Sequence, residues 1–398
     1  MGVLVDGCLY KLKYDNLVSA SEKSPLGFNK RTECYIRYLI IEIVLFIHMK
    51  NTDIKLARFD KDYLISWLEL FAKEPVSKIE CILLKGDASD RNYYRAKYAL
   101  KSSPEISRSV IIMQLAQLET EPDFNCMQKF LRNLDIPVPD IFHFDAKHGL
   151  LFLMDCGDTH LADQITEEPE KTVLWYQQAI DIIVAFHIRA TDTITPDSPA
   201  HSLFFDEEKL MWEMDFMLEH YVQGMLMRSL TKDEMNKVRE ALRILCKTLS
   251  KEDRVFTHRD YHSRNIMIHN GKLKVIDFQD ARMGPCQYDL VSLLKDSYVV
   301  LNESERSELL EYYIECMEQS GRKIIREPFY KIFEWMSLQR NLKAIGTFAY
   351  QHKVLGNDRY LQYIEPTLDY LRQALANRRD LKFLSPALNS AIPTLNAN

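Results

Sequence analysis

The sequence lacks the features that mark several classes of protein. Its eight cysteines are scattered, and no two form a C-x-x-C pair or stand at the spacing of a zinc site. Acidic residues outnumber basic ones and give a net charge of −6, so there is no basic excess of the kind that binds nucleic acid or an anionic membrane. These absences predict a cytoplasmic protein, in a reducing compartment, that binds neither nucleic acid nor membrane.

Long hydrophobic runs are also missing. The most apolar stretch, residues 38–49, is interrupted by Glu42 and is shorter than the ~20 residues that cross a bilayer. It begins too late for a standard signal peptide and lacks a small-residue cleavage site. Residues 1–48 show no other clear pattern, whereas Met49 opens a segment of ordinary spacing. We therefore expect residues 1–48 to be a dispensable extension.

The order of predicted elements divides the chain into two parts. Strand patterns concentrate before residue 157 and helical patterns after it, which predicts an α+β protein with ligand bound in the cleft between two lobes. The predicted divisions are a small β-rich lobe, a helical lobe and a disordered tail, at residues 49–156, 157–380 and 381–398. Predicted strands are 79–84, 93–100, 109–115, 141–145 and 150–154, and predicted helices are 60–73, 123–134, 172–190, 207–225 and 231–250, with two or three more over 287–376.

One segment, THRDYHSRNIMIHNGKLKVIDFQD at residues 257–280, carries the functional signal. Two short apolar runs flank Asn270-Gly271, the strongest two-residue signal for a β-hairpin. With that turn, Asn265 lies opposite Ile276 and next to Asp277. An amide oxygen and a carboxylate therefore meet at the mouth of the hairpin.

These residue types suit phosphoryl transfer from Mg-ATP. Hard oxygen ligands such as Asn265 and Asp277 suit Mg²⁺ when positions remain open for phosphate oxygens. Asp260 enters the hairpin five residues before Asn265 and is the candidate base, or orienting group, for an acceptor hydroxyl. Arg264 is the candidate catalytic cation, with a salt-bridged loop residue as the alternative. The alternative for the whole segment is a surface hairpin with accidental polar residues.

The motifs also resemble known families. His258-Arg259-Asp260 with Asn265 and Asp277-Phe278 resembles the protein-kinase template. The longer segment HRDYHSRN, IDFQDA and GPCQYDLVSLLKD is similar to the aminoglycoside phosphotransferase and choline kinase superfamily. Three further strings resemble the bacterial kinases that phosphorylate the anomeric hydroxyl of N-acetylmuramate and N-acetylglucosamine: GDAS at 86–89, LLFLMDCGD at 150–158 and QRNLKAIGTFA at 339–349. The similarity spans roughly residues 52–376.

The resemblance implies a two-lobe, protein-kinase-like fold and ATP-dependent phosphorylation of a sugar in peptidoglycan recycling, with Mg²⁺ as cofactor. It implies that Asp260 is catalytic and that Asn265 and Asp277 bind the metal. The third predicted strand lacks the lysine that usually binds the phosphates, so Arg91, Arg95 and Lys97 are the candidates for that role. The implied ATP-binding residues are Ser89, Arg91, Arg95, Lys97, Met154, Asp155 and Cys156. Candidate substrate-binding residues are Trp212, Glu213, Asp215 and Arg340, for which an ordinary helix face is the alternative.

Two other functions remain open at this point. Another small-molecule kinase of the same fold, of the aminoglycoside, choline or methylthioribose type, would share the catalytic residues. A nucleotide-binding pseudokinase is disfavoured by the intact Asp260, Asn265 and Asp277. Gln279 stands where protein kinases have glycine and no A-P-E segment follows, so a small-molecule substrate is favoured. The expected partners are ATP and a small sugar, and the expected state is a monomer or weak dimer.

Overall fold

The computed structural model describes residues 58–84 and 91–396. The chain divides into two units, Met1–Lys61 and Asp62–Asn398, and the second unit contains all the features described below. The predicted extension at residues 1–48 and the apolar run at 38–49 lie outside the described residues. Among the residues described, no helix is both long enough and apolar enough to cross a membrane.

The first half of this unit is built on one antiparallel sheet. Its strands follow the order β1-β2-β3-β5-β4, and each neighbouring pair is antiparallel. The sheet confirms the predicted β-rich region, although β3 begins at residue 103 instead of 109, because it continues into a tight turn with β2. The strands are β1 Val76–Leu84, β2 Asn92–Leu100, β3 Ser103–Gln114, β4 Ile141–Asp145 and β5 Leu150–Met154.

Aromatic packing covers the sheet on one side. Helix α1, Lys61–Ala72, buries Leu64, Trp67 and Leu68. The Trp67 ring stacks on Phe152 of β5 with the ring centroids 3.7 Å apart. Helix α2, Asp123–Asn133, follows the sheet's third strand and buries Met127 and Leu131 completely. The stacking of Trp67 on Phe152 thereby fixes α1 against β5, the strand leading out of this region.

The second half is mainly helical, as predicted. Two helices continue as π-helical turns, at Phe186–Ala190 and Leu218–Met225. The region from 287 to 377 contains four α-helices, more than the two or three predicted. The helices are α3 Leu161–Glu167, α4 Thr172–Ala185, α5 Glu207–Met217, α6 Lys232–Leu249, α7 Gln287–Leu294, α8 Glu303–Gln319, α9 Arg326–Lys353, α10 Ile364–Asn377 and α11 Ser385–Ala391. Two two-stranded sheets interrupt them, with strands β6 Arg254–Thr257, β7 Ile266–His269, β8 Lys272–Val275 and β9 Arg282–Pro285.

Helix α9 is the centre of the helical region. It packs against α5, α7 and α10, and most of its residues from Phe329 to Gln351 are buried. At Gly346 its backbone approaches α5 so closely that a Cβ atom would lie 2.7 Å from the Met217 Cα. This helix carries two of the side chains that surround the candidate catalytic residue.

The prediction of a disordered tail is wrong for the described residues. Helix α11 packs on α6, and Leu388 and Ile392 are fully buried. Arg228 donates a hydrogen bond to the backbone oxygen of Ser390 at 2.8 Å. The composition of this segment suggested disorder. Its apolar residues, however, recur at helical spacing, and this pattern explains why it forms a packed helix.

Candidate active site

The predicted hairpin is present with the predicted register. Ile266 pairs with Val275 and His269 with Lys272 across β7 and β8. Asn270 and Gly271 form the turn, and both have positive φ, as a type I′ hairpin turn requires. The Ile276 N–H donates to the Asn265 carbonyl at 3.0 Å. The register therefore brings Asn265 beside the residue after Ile276, which is Asp277.

Asn265 and Asp277 meet at the mouth of this hairpin. The Asn265 amide nitrogen donates to the backbone oxygen of Asp260 at 2.9 Å and lies 3.4 Å from the Asp277 Oδ2. Asp277 adopts a φ of +64°, which is uncommon for a residue other than glycine and often marks a functional site. The Asn265 Oδ1 accepts no hydrogen bond from the described residues, while the Asp277 Oδ1 accepts from the Gln279 amide at 2.7 Å.

Asp260 is held by two cations of helix α9. Its Oδ1 accepts from the Lys343 ammonium at 2.7 Å and from the Arg340 guanidinium at 3.3 Å. The Arg259 Nε lies 3.7 Å from the other oxygen, Oδ2. Asp260 remains partly accessible, with 23% of its side chain exposed. One oxygen is therefore fixed, while the other keeps room for a ligand.

These cations determine the charge of Asp260. Burial alone would raise the pKa of the carboxyl group, but Lys343, Arg259 and Arg340 outweigh it and hold the pKa well below its usual range. Burial in turn lowers the pKa of Lys343, an effect that the nearby Arg340 reinforces. Asp260 is therefore ionised at neutral pH and is the anion around which the site is organised.

Two further aspartates anchor the loop that carries Asp260. Asp289 of α7 is fully buried and accepts from the backbone N–H of His258 at 2.5 Å and of Arg259 at 2.9 Å. Burial raises the pKa of Asp289 to about 7, against these two donors, which favour the carboxylate. Asp296, just after α7, accepts from the Ser263 N–H at 2.9 Å. The loop is thus fixed on both sides of Asp260.

His258 supports the loop from inside. It is fully buried, and burial lowers its pKa, so the ring is neutral. Its Nε2 donates to the Ile276 carbonyl at 3.0 Å, which ties the loop to the hairpin. The next residue, Arg259, has a φ of +83°. The structure agrees with a supporting role for His258.

A polar cavity of about 80 Å³ opens beside Asp260. Charged and aromatic side chains from the loop, the end of α7 and α9 line it. They include Asp260, His262, Asp296, Tyr298, Arg340, Lys343 and Thr347. Among the described residues, no group of three or more His, Cys, Asp or Glu residues is arranged to hold a metal ion by itself.

The predicted phosphate-binding residues have different surroundings. Arg95 of β2 is buried and pairs with Asp155 at 2.8 Å and with Asp158 at 2.6 Å. Lys97 is exposed on the same strand, opposite Glu80 and Ser109. Arg91 interacts with Tyr93, whose pKa is raised by burial and by Asp277, so these residues lie near the metal candidates. Ser89 lies outside the described residues.

The predicted hinge follows β5. The Met154 N–H donates to the backbone carbonyl of Asp140 at 2.8 Å. The Asp155 carboxylate accepts from Arg95 and from the Gly157 N–H, and Gly157 has a φ of +88°. Cys156 is buried, and burial raises the pKa of its thiol to about 11, which makes it unreactive. Among the described residues, the N–H and C=O groups of Cys156 have no hydrogen-bond partner. A segment that binds adenine through its backbone needs such groups to be available.

The predicted substrate residues on α5 separate into two groups. Glu213 is 1% exposed and accepts from Gln339 of α9 at 2.8 Å, which places it beside Arg340. Asp215 instead forms an exposed pair with Arg239 of α6 at 2.8 Å. Trp212 is 54% exposed, with the Lys209 ammonium 3.9 Å from its ring centre. Only Glu213 connects directly to the elements around Asp260.

The structure does not bring Arg264 into contact with Asp260. Its guanidinium lies 4.5 Å from the Tyr298 ring centre and donates to the Tyr363 hydroxyl at 3.0 Å. Its catalytic role stays a prediction. The cations that do contact Asp260 are Lys343 and Arg340, and the sequence suggested Arg340 only for substrate binding.

Sequence reasoning missed the contact of Lys343 with Asp260, and it did not identify Arg282 as a site residue. Lys343 follows Arg340 by three positions on α9, which places both on one helix face, and this spacing was the available signal. Arg282 starts β9 directly opposite Thr257, a neighbourhood that only the paired strands reveal.

Three comparisons relate this geometry to known proteins. Residues 80–323 match the phosphotransferase enzyme family APH. The N-acetylmuramate/N-acetylglucosamine kinase of Pseudomonas aeruginosa is 30% identical over 346 residues, which cover 84% of this chain and 97% of that protein. The enzyme of the same name from Neisseria meningitidis is 29% identical over 316 residues, covering 77% of this chain and 89% of that one.

The fold is also similar to a solved structure of choline kinase from Cryptosporidium parvum. The TM-score is 0.55 at 15% identity, and the match covers 83% of this chain and 99% of that chain. At this identity the likeness concerns the fold alone, and it confirms the predicted two-part, protein-kinase-like architecture. The boundary between lobes at residue 156 stays a prediction.

Replacing the Asp289 anchor should destabilise the protein. In Asp289→Ala the N–H groups of His258 and Arg259 would be buried without acceptors, and we expect a loss of about 3 kcal/mol or more in the free energy of unfolding. The matched control Asp253→Ala changes an exposed aspartate before β6 and should stay within about 0.5 kcal/mol of wild type. Urea denaturation measures both, and equal stability of the two variants would contradict the anchoring role.

Proposed function

Because the chain belongs to the phosphotransferase enzyme family APH, we propose that it transfers the γ-phosphoryl group of ATP to the anomeric hydroxyl of N-acetylmuramate, N-acetylglucosamine or both. The product would be a sugar 1-phosphate, as expected of an enzyme that returns cell-wall sugars to nucleotide-sugar synthesis. The observation that carries the proposal is the 30% identity to the Pseudomonas aeruginosa kinase, which extends over 97% of that protein.

The charge around Asp260 supports a neutral or acidic acceptor. The side chains that interact electrostatically around Asp260 and Glu213 include five cations and four carboxylates, Asp260, Glu213, Asp280 and Asp289. The cations are Lys209, Arg259, Arg282, Arg340 and Lys343. A polycationic aminoglycoside or the quaternary ammonium of choline would meet like charge here, which is costly in a buried site.

Asn265 and Asp277 would hold Mg²⁺ at the mouth of the hairpin. Their oxygen donors fit the ion, since Mg²⁺ prefers carboxylate and carbonyl oxygens and keeps positions for phosphate oxygens. When bound, Mg²⁺ neutralises charge on the transferring phosphoryl group. The residues after β5, Met154, Asp155 and Cys156, would receive the adenine through backbone groups. Arg91 is a candidate phosphate ligand, because it and Asp277 are both electrostatic neighbours of Tyr93.

Asp260 would orient the acceptor through its Oδ2. Lys343 and Arg340 fix Oδ1, so the acceptor hydroxyl would donate its hydrogen bond to the other oxygen. The sugar oxygen forms a bond to the γ-phosphorus while the bond from that phosphorus to the β,γ-bridging oxygen breaks, and ADP leaves. The hydroxyl proton passes to Asp260 late in the reaction and then to solvent. An ionised Asp260 is required throughout the approach.

Turnover on a substrate panel tests the proposal. The purified full-length protein with ATP and Mg²⁺ should phosphorylate N-acetylmuramate or N-acetylglucosamine, and the product should show the ³¹P doublet of a sugar 1-phosphate. Kanamycin, choline and methylthioribose should not react. Phosphorylation of one of these instead would contradict the proposed acceptor. Asp260→Ala should abolish turnover while ATP still binds, whereas a nucleotide-binding scaffold would keep its function.

Removing the metal candidate should affect mainly turnover. We expect Asp277→Asn to lower kcat by about 10²-fold or more, because a metal ligand acts chiefly in the transition state. Asp253→Asn, an exposed aspartate outside the site, is the control and should keep wild-type kcat. Near-normal turnover of Asp277→Asn at ordinary Mg²⁺ would show that the metal assignment is wrong.

Lys343 should influence the pH at which kcat/KM falls on the acidic side of the pH profile. Lys343 lowers the pKa of Asp260, so in Lys343→Met the pKa rises and the ionised fraction falls at acid pH. The acidic limb of kcat/KM should therefore lie at higher pH in this variant than in wild type. Lys343→Arg keeps the positive charge and should restore most of the wild-type profile. A folded Lys343→Met variant with an unmoved acidic limb would contradict this positioning role.

A further inference from the structure

Arg282 is a buried cation without a partner. Three arginines among the described residues are buried: Arg95, Arg282 and Arg340, with 7%, 8% and 7% of their surface exposed. Arg95 pairs with two aspartates, and Arg340 contacts Asp260. Within the described chain, the Arg282 side chain forms neither an ion pair nor a hydrogen bond, and its Nε is fully enclosed.

An isolated buried charge is unfavourable and calls for an explanation. Taking a guanidinium out of water costs free energy that an ion pair normally offsets. Among the described residues, Arg282 gains the face of the Phe205 ring, 5.1 Å from its Cζ, and the charges of Glu213 and Asp280, neither of which forms an ion pair with it. Burial, followed by Arg259, lowers the pKa of Arg282, although Glu213 acts in the opposite direction. An anionic ligand would supply the partner that the protein does not.

Arg282 lies on β9, next to the strand that leads into the loop of Asp260. It pairs with Thr257 across β6 and β9, and the Thr257 hydroxyl donates to its backbone oxygen at 2.7 Å. Thr257 leads directly into the loop of Asp260. Arg259 lies 3.7 Å from Asp260 and is also the cation that most lowers the pKa of Arg282.

Other unpartnered polar atoms surround the same place. Glu213 Oε1 and Gln339 Oε1 are enclosed without hydrogen-bond partners among the described residues, as is the Tyr288 hydroxyl. Lys209 approaches Glu213 only to 4.0 Å. Glu213 and Tyr288 are both electrostatic neighbours of Arg282. Unpaired donors and acceptors in one buried cluster are typical of a site completed by a polar ligand.

We propose that the Arg282 guanidinium binds an anionic group of the bound substrates: the carboxylate of an acidic acceptor sugar or an oxygen of the transferring phosphoryl group. This inference rests on the proposed function and deepens it, since N-acetylmuramate carries a lactyl carboxylate that N-acetylglucosamine lacks. Arg282 would then be the residue that distinguishes an acidic from a neutral acceptor, or one that acts on phosphate for both.

The test compares two sugars in two arginine variants of the full-length protein. Arg282→Met removes the charge. Arg254→Met is the matched control, because Arg254 lies on the neighbouring strand, stacks on Phe204 at 4.5 Å and is exposed. Steady-state kinetics are measured with N-acetylmuramate and N-acetylglucosamine at saturating ATP. Wild-type affinity for N-acetylmuramate is also compared with affinity for its neutral methyl ester by calorimetry.

Either of two results would support the proposal, and they distinguish the sugar carboxylate from the phosphoryl group as the anion that Arg282 binds. Binding of the carboxylate predicts that Arg282→Met raises KM for N-acetylmuramate about ten- to hundredfold, with little change for N-acetylglucosamine, and that wild type binds the ester more weakly than the acid. Binding of the phosphoryl group predicts that kcat falls by a similar factor for both sugars, while the ester and the acid bind alike.

Unchanged kinetics would overturn the proposal. If Arg282→Met stays within twofold of Arg254→Met for both sugars, Arg282 binds no anion in catalysis. Should Arg282→Met fail to fold, Arg282→Lys gives the same readouts, because an ammonium does not reproduce the two-oxygen fork of a guanidinium. We then expect a change of about threefold or more in the same parameter. Turnover of neither sugar by wild type would instead contradict the proposed function itself.

Discussion

The contact between Asp260 and the cations of α9 is the interaction on which the site depends. Lys343 and Arg340 fix one carboxylate oxygen at 2.7 and 3.3 Å and leave the other for a ligand. Asp289 of α7 and Asp296 just after α7 hold the loop on either side of Asp260. A carboxylate so placed is both ionised and immobile. General-base and orienting roles need both properties, since misplacement by about 1 Å already costs rate.

The same cations give the site its chemical preference. Five positive side chains against four carboxylates surround Asp260 and Glu213, and this balance favours a neutral or acidic acceptor over a cationic one. This charge distribution separates the proposed amino-sugar kinase from kinases of similar fold that act on cationic substrates. The fold alone makes no such distinction, because the structural likeness to choline kinase concerns architecture. The proposed substrate class rests instead on the charge around Asp260 and on the sequence relatives.

Local signals made part of the site predictable. The Asn270-Gly271 turn determined the hairpin register, and the register placed Asn265 beside Asp277 as observed. Helix α6 likewise begins with a capping box of Thr231 and Glu234, whose partners lie within one turn of each other. These features depend on residues close in sequence, where spacing is a sufficient guide.

Contacts between distant segments were not predictable in this way. Lys343 reaches Asp260 only because α9 packs across α5 and α7, and no local pattern encodes that crossing. Arg95 was expected at the phosphates, but the return of the chain after β5 brings Asp155 and Asp158 to it. Ion pairs of this kind depend on tertiary geometry, and so does the lack of a partner at Arg282.

A crystal structure with Mg²⁺, a non-hydrolysable ATP analogue and N-acetylmuramate would show whether Asp260 orients the acceptor hydroxyl. We expect the anomeric hydroxyl to lie within hydrogen-bond distance of the Asp260 Oδ2, in line with the γ-phosphorus, and Asn265 and Asp277 to ligate the metal. A sugar bound with another hydroxyl at Asp260, or a metal held by other residues, would contradict this expectation.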